Sequence, residues 1–368
     1  MEESKEELLE LTEQLCKFKT VKGNKQEMKK CLDFIEDYYS DSDFVTRRYE
    51  SENKESLVVS FTDTKSPEVL LHGHIDVVEA DEETFALERE GEKLYGRGTA
   101  DMKSGVASMM KLMKEFREEK PDIALMIVTD EEIGGFNGIG HLLNEENYRA
   151  DFAISAEPNK TEGNLDIGIK QKGVLQLKIT AEGRSGHGSA PWKGENAAEK
   201  LIDKYQNEIK PLFPDPEKRT WDTTCNLGII EAGEATNQIP GEAMMKLDIR
   251  CSNEYPSKEV LEDIKAVEGV EVEEVLLNEP MVDNEKQNPY IQKLKTAAEE
   301  ATEEKVELTK KDWGSDVRFL TSKNIPGVVF GPKGYNWHAP DEYLDTSKLK
   351  AFHNSLRKFI QKVEKEKT

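Results

Sequence analysis

At 368 residues the chain exceeds what one hydrophobic core usually organises, so two domains are expected. Its 51 Lys and Arg against 74 Asp and Glu give a formal charge of −23, which excludes nucleic acid and anionic membrane as partners, since both attract basic faces. The acidic start MEESKEELLELTEQLCKF lacks the basic-then-apolar order of a signal peptide, no apolar run nears the roughly twenty residues of a membrane span, and Cys16, Cys31, Cys225 and Cys251 form no C-x-x-C pair, so a cytoplasmic protein with reduced thiols is expected.

Leu8, Leu9, Leu11 and Leu15 recur at helical spacing and predict a first helix over 4–18. EVLLH at 68–72 reads as a buried strand, and residues 104–118 as a helix with Ser104 as its cap. IALMIVTDEE is an apolar strand ending in carboxylates, and ADFAISAEP repeats that pattern. Strand, acid, helix, strand, acid is the order of an α/β sheet whose site lies at the carboxyl ends of its strands. From Gly173 the texture changes to the alternating strands GVLQLKITAEG, EAMMKLDIRC and VEVEEVLL, with helices expected over 196–211 and 257–266. After about residue 280 the helical YIQKLKTAAEEA, the strand GVVFG and a last helix over 346–365 resume the first pattern. The expected division is a first domain from 1–172 and 281–368, interrupted by an α+β module over 173–280.

Five motifs carry chemistry. In His72-Gly73-His74-Ile75-Asp76, extended chain puts His74 and Asp76 on one face, where a carboxylate can fix the tautomer of a metal-binding imidazole; a solvated strand end is the alternative. Asp101 follows the glycines of Gly96-Arg97-Gly98 just before a helix, as a ligand or as a helix cap. Asp130, Glu131 and Glu132 repel one another at a strand end unless cations compensate them; one Glu can ligate while its neighbour serves as general base, and a solvated acidic turn is the bland alternative. Glu157-Pro158 ends a further strand, and His338 lies in a loop. Two histidines, three carboxylates and a base, without thiolate, suit catalytic zinc or a similar dication, and charge balance favours two ions.

The order and spacing of these motifs resemble the M20 family of metallopeptidases and deacylases, which includes acetylornithine deacetylases and succinyl-diaminopimelate desuccinylases. The resemblance implies an α/β fold: a zinc-peptidase-like catalytic domain with an inserted α+β lid or dimerisation domain. It also implies two Zn2+ ions, replaceable by Co2+ or Mn2+. By that resemblance His74 and Glu157 ligate the first ion, Glu132 and His338 the second, and Asp101 bridges both, with a cis peptide to Met102. Asp76 supports His74, Glu131 is the general base, and His72 falls where the family uses no ligand. In the insert, His187 within Gly186-His187-Gly188-Ser189 resembles the lid histidine that stabilises the reacting carbonyl oxygen. Dimeric relatives supply it from the opposite subunit, so a homodimer through the insert is an expectation.

Asn237 and Arg250 resemble substrate contacts of the lid, with a turn residue and an exposed strand cation as their alternatives. Gly314-Ser315-Asp316 approximates the family's substrate-side Gly-Thr-Ser-Asp turn; Ser104 and Lys333 depart from its usual glycines. By the same resemblance, Glu157 implies a deacylase or carboxypeptidase rather than an aminopeptidase or dipeptidase. The expected activity is amide hydrolysis of an N-acyl amino acid of the acetylornithine, succinyl-diaminopimelate or acetyl-lysine type. An M20 dipeptidase or carboxypeptidase acting on small peptides, and a catalytically silent metabolite-binding homologue, are the alternatives.

Overall fold

Three apolar runs, Val69–His74, Ile123–Val128 and Phe152–Ser155, form fully buried strands that pair in parallel. Both of their faces are covered, which is why they read as continuous apolar sequence rather than as alternation. Leu71, Leu125, Ile127 and Ile154 pack with Leu32, Ile35, Val106 and Phe359 on one side. Leu70, Ala124, Met126 and Ala153 pack with Ile139, Leu142 and Leu320 on the other.

The computed structural model describes residues 3–40, 43–158, 165–282 and 284–366. It divides into two units: Met1–Ile169 with Asp283–Lys310 and Ser315–Thr368, and Lys170–Val282 with Lys311–Gly314. In the first, an eight-stranded mixed sheet runs in the order Val45–Ser51, Lys54–Ser60, Ile123–Val128, Val69–His74, Phe152–Ser155, Gly327–Val329, Asp166–Gln171, Glu307–Lys311. Gly327–Val329 is also parallel to Phe152–Ser155, so several carboxyl ends open on one edge. The hairpin at the other end of the order turns on Glu52 and Asn53, both with positive φ (47° and 62°), as a two-residue turn requires. Sequence reading misses this hairpin because Val45–Ser51, VTRRYES, has no apolar alternation and stays half-buried.

A second, four-stranded sheet of short strands joins Gly334–Tyr335, Tyr343–Asp345, Lys93–Tyr95 and Glu88–Glu90. Pairing of Tyr343 with Tyr95 sets the loop before Tyr343 beside the loop after Tyr95. No helix among the described residues is long and apolar enough to cross a membrane.

The inserted unit is a four-stranded antiparallel sheet in the order Thr224–Ala232, Glu242–Cys251, Gly173–Glu182, Glu271–Asn278. Leu175, Leu177, Ile179, Met245, Leu247 and Ile249 point to one face and pack with Leu201, Val260 and Ile264 of the helices Ala197–Lys204 and Ser257–Lys265. Gln176, Lys178, Asp248 and Arg250 take the alternate positions. Thr224–Ala232 is an edge strand, absent from the sequence reading, with Ile229 and Ile230 exposed.

The helix after the Asp101 loop spans Lys103–Glu115; Met102 is its N-cap without a side-chain bond, and Ser104, expected to cap it, is buried inside the first turn. Gly105 permits close approach to the strand end before Glu157: a Cβ there would lie 2.5 Å from the Ala156 carbonyl oxygen. Gly105→Ala is therefore expected to cost about 1–3 kcal/mol through forced displacement of that backbone. A urea unfolding midpoint equal to that of the parent chain would contradict it.

Candidate metal centre

His74 ends its strand fully buried, and its Nδ1 donates to the Asp76 main-chain carbonyl at 2.9 Å. That bond assigns the ring proton to Nδ1 and leaves the Nε2 lone pair for another partner. The Asp76 carboxylate, 3.4 Å from the same nitrogen, accepts the backbone N–H groups of Glu131 and Glu132 at 3.3 and 3.0 Å. Asp76 thus orients the imidazole mainly through its carbonyl and fixes the acidic turn through its carboxylate.

Asp101 divides its two oxygens. Oδ1 is 3.3 Å from His74 Nε2, and Oδ2 is 3.4 Å from His338 Nε2. Glu157 Oε1 lies 3.6 Å from His74 Nε2, and Glu132 Oε2 lies 3.3 Å from His338 Nε2. Two triads result, His74–Asp101–Glu157 and Asp101–Glu132–His338, each with ligand atoms within 4.8 Å of one another. The Asp101–Met102 peptide is cis, and His338 holds a left-handed φ of 63°, a conformation that costs a non-glycine residue about 1 kcal/mol or more.

The electrostatics of this cluster call for cations. Burial pushes Glu131 and Glu157 well above the usual carboxylate range and raises Glu132 as well, with neighbouring acids adding to each. Burial opposes charge on His74, but Asp101 and Asp76 outweigh it and hold the ring pKa far above its ordinary value. Hydrogen bonds to Asp101 and Glu132 raise His338 to about 10. A metal ion competes with protons for imidazole nitrogens placed in this way. Moreover, His74 Nε2, Asp101 Oδ1 and Glu157 Oε1 are buried without a hydrogen bond, and these are atoms of the first triad. Buried polar atoms are rarely left so, and a nitrogen with two carboxylate oxygens fits a divalent zinc-type ion.

Glu342, to which the sequence reading gave no role, clips the centre together. It is buried; Oε1 accepts the N–H groups of Gly98, Ala100 and Asp101 at 3.0–3.1 Å, and Oε2 accepts from buried Arg97. The bond to Arg97 spans 245 residues, so no local spacing announces it. His72, also unassigned as a ligand, packs its Nδ1 3.2 Å from Ser155 Oγ and its Nε2 3.4 Å from Asp316 Oδ2, below the strand end.

Other expected site residues lie in the inserted unit. His187 is exposed on the short strand Gly186–His187 paired with Gln238–Ile239. Its Nδ1 accepts the Ser189 N–H at 3.2 Å, which leaves Nε2–H as a donor. Asn237 is exposed, and its carbonyl accepts the Gly188 N–H at 2.7 Å. Arg250 is engaged by Asp248 at 2.8 and 3.2 Å rather than presented as an open cation. Gly314 also belongs to this unit, whereas Ser315 is buried in the first, its Oγ accepting the Val317 N–H.

The sequence model of Peptidase family M20/M25/M40 matches residues 70–362. A succinyl-diaminopimelate desuccinylase of Delftia acidovorans is 26% identical over 97% of this chain and 98% of its own. An acetylornithine deacetylase of Buchnera aphidicola is 26% identical over 96% of this chain and 97% of its own. The fold is similar to that of an M20 family metallo-carboxypeptidase from Sulfolobus solfataricus, with TM-score 0.80 at 16% identity, covering 96% of this chain and 98% of that one.

Replacing Glu342 by Ala strands Arg97 and three amide groups. The expected cost is about 3–5 kcal/mol of stability and an affinity for a divalent ion lower by about 10–100-fold. Thermal unfolding and a zinc titration read both; parental values in both would remove Glu342 from the centre.

Proposed function

Since the chain belongs to peptidase family M20/M25/M40, we propose that this metal-dependent hydrolase binds two zinc ions and cleaves the amide bond of an N-acyl amino acid. The observation that carries the reading is the divided carboxylate of Asp101, one oxygen facing each histidine. His74, Asp101 and Glu157 would hold one ion, and Asp101, Glu132 and His338 the other. When bound, the ions supply Lewis-acid polarisation of the scissile carbonyl.

The residues divide the remaining work. Glu131, whose position is set by the Asp76 bond to its N–H, takes a proton from the attacking water and returns it to the leaving amine. His187 donates through Nε2–H to the oxyanion as it develops. Asn237, Arg250, Gly314 and Ser315 contact the rest of the substrate. Arg250 must exchange its Asp248 partner for a substrate carboxylate to do so.

Glu157 in place of Asp, and relatives named for desuccinylation and deacetylation, support acyl removal over dipeptide cleavage. No ligand of either triad is missing, which disfavours a silent homologue. The four cysteines are free, in keeping with a reducing cytoplasm.

N-acetylornithine, N-succinyl-diaminopimelate and a dipeptide panel, assayed with zinc or cobalt, test the reading; hydrolysis confined to dipeptides would replace it with a peptidase. Glu131→Gln is expected to lower kcat by about 100-fold or more at unchanged zinc content. A variant that kept most of its rate would remove Glu131 as the base. The exposed edge strand Thr224–Ala232 supports self-association through the insert. Sedimentation should then give a dimer that Ile229→Lys with Ile230→Lys converts to monomer, whereas a monomeric parent chain would refute it.

A further inference from the structure

The loops that carry Asp76 and Glu132 also wall a cavity of about 380 Å3 beside the metal centre. Lys54 reaches it because the two-residue turn at Glu52-Asn53 starts the strand Lys54–Ser60 there. That strand runs antiparallel to Ile123–Val128, so its first residue falls at the edge where Thr129 and Glu132 emerge. Lys22 reaches it because Val21 pairs with Val77 in the loop after His74. Met28, Val77, Val78 and Ile133 supply aliphatic wall, and Ile133 is 39% exposed.

The wall carries two lysines against the carboxylates Asp76, Glu79 and Glu132. Neither the Lys22 nor the Lys54 ammonium group forms a hydrogen bond or ion pair among the described residues. Of the wall's carboxylates, Asp76 is held by two backbone N–H groups and Glu132 faces His338, leaving exposed Glu79 as the other charge. Two unpaired ammonium groups and an aliphatic lining, next to a centre that polarises a carbonyl, describe a receptor for a short chain ending in a carboxylate.

We propose that this cavity is the acyl subsite and that it takes the ω-carboxylate of a dicarboxylic acyl group between Lys22 and Lys54. The chain's methylenes lie along Met28, Val77, Val78 and Ile133 while its amide carbonyl sits at the metal centre. The substrate class is then the N-succinyl or N-glutaryl amino acids rather than the N-acetyl ones. This rests on the deacylase reading and adds to it the identity of the acyl group.

The test uses the zinc-loaded full chain with the N-acetyl and N-succinyl forms of one amino acid. The parent is expected to favour the succinyl form in kcat/KM by about tenfold or more, and K22M/K54M to lower that ratio by about tenfold or more, chiefly through KM. Lys22 is exposed and Lys54 half-buried beside a turn, and K22Q/K54Q repeats the test without adding apolar surface. An unchanged ratio, or an equal fall for both substrates, overturns the subsite while leaving the deacylase reading intact. Calorimetric titration with free succinate and free acetate gives a readout independent of turnover. A loss of about tenfold confined to succinate in K22M/K54M supports the subsite even if neither amide is cleaved, which would overturn the deacylase reading instead; equal affinities in parent and variant overturn the subsite.

Discussion

The carboxylate of Asp101 faces two imidazoles at once, and much of the molecule is arranged to let it do so. Around it stand Glu131, Glu132 and Glu157, all raised by burial with neighbouring acids adding to each, so compensating positive charge favours their ionised forms. Bound cations would supply that charge. The cluster therefore stores unfavourable electrostatics that ligand binding relieves, as expected of a binding centre and unlike a structural ion pair.

Holding such a cluster together is the task of the fold. Parallel strands bring His74, the Glu131-Glu132 turn and Glu157 to one sheet edge, and close approach at Gly105 sets the helix against the last of them. The short four-stranded sheet then aligns the Asp101 and His338 loops, and Glu342 ties them by three amide bonds and Arg97. Asp76 does the same for the acidic turn. His74, Glu132 and Asp101 are thus each held by a carboxylate residue outside the two triads.

How much of this is legible in sequence depends on how local the cause is. The buried strands and the acids at their ends are visible because apolar runs followed by carboxylates are written within ten residues. The alternation of Gly173–Glu182 and Glu242–Cys251 likewise marks an antiparallel sheet with one wet face. The strand Val45–Ser51 and the edge strand Thr224–Ala232 are not visible, since neither carries the apolar periodicity of a covered strand. Glu342 and Arg97 escape because their bond joins distant segments, and Asp101 and Ser104 read equally well as caps until the helix is seen to start without one. Arg250 reads as an open cation only until Asp248, two residues earlier on the same face, is seen to hold it.

The insert divides the centre in chain order: His74, Asp101, Glu132 and Glu157 precede it, and His338 and Glu342 follow it. A nascent polypeptide leaving the ribosome therefore carries His74 and the acids of the cluster long before His338 and the clip exist. Such a fragment has the His74–Asp101–Glu157 triad but lacks His338 of the other. The cluster is complete only when synthesis is nearly over, so any ion that needs both triads is captured late.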